Sequence, residues 1–171
     1  MVLVVGIMSV VSALAMFQIG EVQPAFKGDA AMRTVMAQLN TARELSITQR
    51  RVIQVRFING SEVQLVRQDI PVGTTVLATI PFEGRVRFAL SPGVPDTPDA
   101  FGNSSPISFG AATSVAFTSD GTFISNSGGP ANGTVFLAIP SEPRSTRAVT
   151  VLGATGRVRG YKWDGRQWIR V

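Results

Sequence analysis

Cysteine and histidine are both missing from this 171-residue chain, and the two absences remove most of the chemistry open to a small protein. Without cysteine there is no disulfide framework, no thiolate metal site and no cysteine nucleophile. Without histidine the usual general base, the usual zinc ligand and every imidazole-based triad are gone. Charge is sparse as well, at 16% of residues. The eleven acidic side chains stand singly and form neither an E-x-x-E nor a D-x-D-x-D pattern of the kind that marks a carboxylate pair or a metal site. A G-x-S-x-G nucleophile elbow is also absent. The expectation is a protein that is not an enzyme and takes no cofactor, no metal and no small-molecule substrate.

Charge is absent altogether from the first twenty residues, MVLVVGIMSVVSALAMFQIG. About 20 mostly apolar residues suffice to cross a bilayer, and only a helix can do so there, because lipid offers backbone polar groups no partner. The alternatives are a buried soluble helix and a cleaved secretory signal, the latter because Ala13-Leu14-Ala15 has the small-x-small form of a cleavage site. A signal peptide opens with a positive region, whereas here the apolar run starts at Val2 and the first cation is Lys27. Gly6, Ser9 and Ser12 recur at three-residue spacing, as in a small-residue seam for helix packing in lipid. Val4, Gly6, Ser9, Val11 and Leu14 are the candidate membrane and assembly residues.

Directly behind this segment the pattern becomes amphipathic. From Pro24 to Arg50, Met32, Val35, Met36, Leu39, Ala42 and Leu45 recur at three- and four-residue steps and so share one stripe. Arg33, Gln38, Asn40, Arg43 and Glu44 mostly occupy the other sides. Pro24 predicts a kink or a melted turn, since proline removes a helical hydrogen bond and clashes with the preceding turn. A nearly continuous helix of 50 residues would be a rod about 75 Å long.

From Val52 the period changes to alternation. Residues 52–57 and 62–67 flank Asn59-Gly60, a hairpin signal. Further strands are expected at 84–90, 114–118, 122–125, 134–139, 147–152, 157–163 and 166–171, with turns at Asp120-Gly121 and Asp164-Gly165. The proline-rich stretch from Ser91 to Thr113 is expected to hold no regular element; a loop of that length is usually functional or mobile. The fold class is therefore α+β, a long helix whose second half packs on an antiparallel sheet. Its parts are an apolar helix over 1–23, an amphipathic helix over 24–50 and a β-rich head over 51–171.

The C-terminus, G-R-V-R-G-Y-K-W-D-G-R-Q-W-I-R-V, carries the most concentrated charge. Residues 157–171 hold five cations against one anion, net +4 of the chain's +5. If Asp164-Gly165 is a two-residue turn, Trp163 faces Arg166, Tyr161 faces Trp168 and Arg159 faces Arg170. Residues directly opposite share a face, which puts Arg157, Arg159, Tyr161, Trp163, Arg166, Trp168 and Arg170 on one side and Val158, Ile169 and Val171 on the core side. Such a ladder suits nucleic acid, with arginines on phosphates and rings stacking on unpaired bases. Its plain alternative is arginine stems lying over Tyr161 and Trp168 in cation–π pairs, and a neighbouring protein or an acidic lipid surface would fit the same charge. With Lys162 added, these are the candidate DNA-binding residues.

Several segments together carry a resemblance. An apolar M-V-L-V-V-G-I-M head leads into a helix whose end, Leu39-Asn40-Thr41-Ala42-Arg43-Glu44-Leu45-Ser46-Ile47, is similar to L-x-x-A-R-x-x-A-I. The strand Val52-Ile53-Gln54-Val55 follows. Val115-Ala116-Phe117-Thr118-Ser119-Asp120-Gly121-Thr122 looks like I-x-F-x-x-D-G-T, and Arg147 to Val151 followed by Gly156-Arg157-Val158-Arg159 is similar to R-x-I-x-V and G-R-V-R. In this order the segments resemble the GspH/FimT family of type II secretion pseudopilins and type IV pilus minor pilins, over nearly the whole chain. The family's basic leader, its G-F-x-x-x-E processing site and its helix glutamate have no counterpart in this sequence, so none of their roles is carried onto a residue here. The resemblance implies a pilin-like fold and a structural role near the tip of a filament. Its partners would be other pilins and, before assembly, the bacterial inner membrane, crossed once with the head in the periplasm. Some minor pilins of the family serve as DNA receptors in DNA uptake with a G-R-x-R element near the C-terminus, a form that Gly156-Arg157-Val158-Arg159 matches.

Overall fold

The computed structural model describes the backbone of residues 2–110 and 114–171 and the side chains of residues 23–110 and 114–171. Val4, Gly6, Ser9, Val11 and Leu14, with the expected membrane span around them, lie outside the described side chains. Among the described residues no helix is long and apolar enough to cross a membrane.

One helix, α1 (Val2–Gln49), runs without a break through Pro24, so no turn melts there. The next turn is clamped from outside, because the Arg147 guanidinium donates to the Ala25 carbonyl at 3.0 Å. The stripe along the second half behaves as its spacing demands. Met32, Val35, Leu39 and Ala42 are fully buried, Met36 and Leu45 pack at the margin of the core, and Arg33, Asn40 and Glu44 stay exposed. Two glycines let the helix come close. A Cβ at Gly28 would strike the Ser145 carbonyl oxygen, and one at Gly160 would sit 2.7 Å from the Met36 sulfur.

Eleven antiparallel strands form two sheets among the described residues. The first contains β1 (Ile53–Ile58), β2 (Glu62–Gln68), β3 (Thr74–Pro81), β6 (Val115–Phe117) and β7 (Phe123–Ser125), in the order β3-β2-β1-β6-β7. The second contains β4 (Arg87–Phe88), β8 (Gly133–Ile139), β9 (Glu142–Leu152), β10 (Arg157–Trp163) and β11 (Trp168–Arg170), in the order β11-β10-β9-β8-β4, with β5 (Ile107–Ser108) also on β8. Helix and both sheets share one core, in which Leu39 and Val35 meet Ile53, Val63, Phe117, Leu137, Val149 and Val151. Full burial of a side chain such as Leu39 is worth about 2 kcal/mol.

The β1–β2 turn forms where Asn59-Gly60 predicts it, with both residues at positive φ, 53° and 72°. Other expectations need correction. Two sheets replace the single one. Strand β3 escapes the alternation pattern because Leu77 is an extra residue: pairing steps from Leu65↔Ala78 to Val66↔Val76, and a bulge shifts the period by one. The strand expected at 84–90 shrinks to Arg87–Phe88, after a left-handed Gly84 with φ 71°. Within the stretch 91–113, expected to be irregular throughout, Ile107–Ser108 pairs with Val135 and Thr134.

Two of the segments that carried the resemblance, the Asp120-Gly121 turn and Gly156, meet the C-terminal end of α1. Asp120 caps its own turn, accepting from the Thr118 hydroxyl and from the Thr122 backbone N–H at 3.1 Å. Gly121, at φ 81°, lies under Arg43 and Ile47, and Gly156, at φ 62°, abuts the Gly121 carbonyl oxygen and Arg43. Gly156 has no room for a side chain, and a Cβ at Gly121 would press on the ends of the Ile47 and Arg43 side chains.

Candidate functional site

The terminal hairpin forms, in a different register from the one expected. Trp163 pairs with Trp168, Lys162 with Ile169 and Tyr161 with Arg170, so Asp164–Gln167 is a four-residue loop and Arg166 belongs to it. The expected pairs Trp163–Arg166, Tyr161–Trp168 and Arg159–Arg170 are therefore replaced. The cause is Asp164, whose side chain accepts from the backbone N–H groups of Arg166 and Gln167, both at 2.7 Å. Only Gly165 in this loop has a positive φ, 103°, whereas a two-residue type I′ turn needs two such residues. Those N–H groups hold the Asp164 carboxyl below its ordinary range.

The register moves by two residues, so the faces are preserved: Tyr161, Trp163, Trp168 and Arg170 still share a side. Their surroundings differ from the expectation. Val158 packs on the main core, but Ile169 and Val171, expected to be core-facing, are 37% and 58% exposed. On the ladder side Tyr161 is buried, 3% exposed, in a small cluster with Phe136 and Ala148 that Leu90 and Trp168 flank.

What covers this face is the segment 91–105, which straps across the outside of the second sheet. At one end the Ser91 and Thr146 hydroxyls bond at 2.7 Å. In the middle the Trp168 indole N–H donates to the Pro95 carbonyl at 2.9 Å. Four residues further on Asp99 gathers three donors. Its Oδ2 accepts from Thr150 Oγ1 at 2.6 Å and Tyr161 Oη at 2.9 Å, and its Oδ1 accepts from Arg159 Nη1 at 2.6 Å. Within the strap, Asp96 accepts from the Gly102 backbone N–H at 2.7 Å, which rounds off the turn that presents Asp99. Burial works to raise the Asp99 carboxyl's pKa, but the bonds from Thr150, Tyr161 and Arg159 outweigh it and hold the group below the usual carboxylate range. Burial and the bond to Asp99 push the Tyr161 hydroxyl up.

The ladder is thus divided. Arg159 and Tyr161 are engaged by Asp99, and Trp168 is tucked against Phe136 with ring centroids 6.1 Å apart. Trp163 is half-buried against Trp168 at 5.4 Å. Arg157, Lys162, Arg166 and Arg170 remain exposed. Sequence reasoning missed Asp99, an isolated acid between Pro98 and Ala100 with no local sign of a partner about sixty positions away. It also missed Arg147, which is buried beneath α1. Its Nε pairs with Asp29 at 2.5 Å, and its Nη1 donates to the carbonyls of Arg144 and Thr146, both at 2.8 Å. Among the described residues no three acidic side chains converge as metal ligands would.

A long N-terminal helix docked on an antiparallel β head is a pilin-like fold. Two crystal structures of the type IV minor pilin FimU from Pseudomonas aeruginosa share it. One matches at TM-score 0.52 and 15% identity over 77% of this chain and 90% of that one. The other matches at TM-score 0.53 and 14% identity over 82% and 91%. No protein-family model and no curated protein matches the sequence.

Proposed function

We propose that this protein is a minor pilin or pseudopilin, a structural subunit near the tip of a type IV pilus or type II secretion filament, with no catalytic activity. The supporting observation is the helix, which continues without a break from an uncharged segment into a half whose apolar stripe is docked on the head. A helix apolar all round must be buried in lipid or among other helices, and a head carried on such a helix can exchange the first environment for the second. The subunit is then a single-pass protein of the bacterial inner membrane with its head in the periplasm, passing into the filament on assembly. N-terminal sequencing of the membrane-bound protein tests this: the chain is expected to retain residues 1–20, and a soluble chain beginning at Met16 overturns the anchor.

A second reading is that the subunit binds DNA during uptake. It is favoured by one observation, the four exposed cations Arg157, Lys162, Arg166 and Arg170 on a 15-residue terminal hairpin. Replacing Arg157, Arg166 and Arg170 with Gln is expected to weaken oligonucleotide binding and to flatten its salt dependence by a little under one unit of slope per lost phosphate contact. Fluorescence anisotropy from low to physiological salt measures both. Absence of binding by the unaltered protein at low salt leaves the plain filament subunit.

A further inference from the structure

We infer that the open face of α1 docks the same face of a second copy of this chain, lying parallel and displaced along the axis by eleven residues, so that Arg33 of one helix meets Glu44 of the other. The parallel orientation rests on the filament reading, in which the uncharged ends of all subunits enter one core.

Opposite the buried stripe, Phe26, Ala30, Arg33, Ala37, Thr41 and Glu44 are exposed. They recur at three- and four-residue steps and therefore form one face. Phe26 is 67% exposed, a large ring on a face otherwise made of small and polar side chains. Arg33 and Glu44 have no ion-pair partner among the described residues. The Thr34 and Thr48 hydroxyls along this side donate to the carbonyls of Ala30 and Glu44, at 3.0 and 2.8 Å, so they need no water when the face is covered.

The charges choose the register. Two parallel helices level with each other would set Arg33 against Arg33 and Glu44 against Glu44. Eleven residues make three turns to within about 20°, so a shift of that length returns the same face to the same side while bringing Arg33 to Glu44, Ala30 to Thr41 and Phe26 to Ala37. Opposite charges then meet, and the ring lies on an alanine. An antiparallel pair would also match Arg33 with Glu44, but it sends the two uncharged segments to opposite ends, which one filament core does not accommodate. The shift is about 16 Å, roughly half the hydrocarbon thickness of a bilayer. Two subunits spanning one membrane at the same level cannot adopt it, so the contact belongs to the filament, where one subunit stands above the next.

The chain has no cysteine, so single cysteines report the register directly. Full-length Ala30→Cys and Thr41→Cys proteins are oxidised in detergent, where no bilayer plane holds the subunits level. A disulfide-linked dimer is expected when the two are mixed and none when each is oxidised alone, because like positions stand about 16 Å apart and a disulfide spans Cβ atoms about 4 Å apart. Arg33→Glu in both partners is expected to lower the yield about fivefold. Adding Glu44→Arg to the same chains is expected to restore it, which a loss of folding would not. All four positions are exposed, and an unchanged melting transition of the head checks that the fold is intact. A dimer from either variant alone, no dimer from the mixture, or a yield indifferent to Arg33→Glu overturns the inference. These results are separable from failure of the filament reading, which the N-terminal sequence of the membrane-bound protein decides, because the helix from Pro24 to Gln49 is present whether or not the residues before Met16 are removed.

Discussion

Leu39→Asp abolishes the folded head. Leu39 is fully buried at the centre of the helix stripe, where it meets side chains from both sheets. The substitution removes about 2 kcal/mol of apolar burial. It also places a carboxyl where no partner exists, adding a penalty of roughly 2–7 kcal/mol even if the group protonates. A domain of this size is stable by about 5–15 kcal/mol, so the combined loss takes most or all of it. Trp163 and Trp168 lie in the head and report its integrity through their fluorescence. The expected result is loss of the cooperative melting transition, while Asn40→Asp, one residue along on the exposed side, melts within about 0.5 kcal/mol of the parent. A Leu39→Asp protein melting within a degree or two of the parent would show that the stripe faces a filament neighbour and is not part of the head's core.

Arg147→Met lowers stability by about 3 kcal/mol and the melting temperature by roughly 6–12 °C. The arginine is almost wholly enclosed, at 4% side-chain exposure, while Asp29 is 33% exposed. Losing the guanidinium therefore costs less through Asp29, which can turn to water, than through the carbonyls of Ala25, Arg144 and Thr146, which lose a donor. Asp29→Asn is accordingly expected to cost about 1 kcal/mol. Arg147→Lys recovers less than half of the methionine loss, because a single ammonium cannot span a carboxylate and three carbonyls as the planar fork does. A methionine variant melting within a degree or two of the parent would mean that α1 is held to β9 by apolar packing alone. Chemical-denaturant titrations of the three variants separate these outcomes.

The two substitutions probe features of different legibility. The Leu39 stripe could be read from spacing alone, because a helix of 3.6 residues per turn converts every third or fourth position into a face, and the buried residues are the ones so spaced. The Arg147 clamp could not. Its segment shows in the sequence only as an R-x-I-x-V pattern, and nothing local couples it to Asp29, 118 positions away. Strand β3 was lost for another local reason, the extra residue at Leu77, which breaks the alternation on which strand recognition rests.

Sequence by itself determined the absence of thiol and imidazole chemistry, the uncharged helical head, the docked stripe, the Asn59-Gly60 hairpin and the sidedness of the terminal strands. All of these depend on composition or on the order of near neighbours. Tertiary structure alone decided which side of β10 meets solvent. Alternation assigns residues to two faces and says nothing of what will be laid on each; here the strap from Ser91 to Ser105 comes from far upstream, and its Asp99 takes Arg159 and Tyr161 out of a ladder that looked open. A charge in a local pattern is visible in the sequence, but its pairing is a property of the folded chain, because the partner's position is set by every element in between.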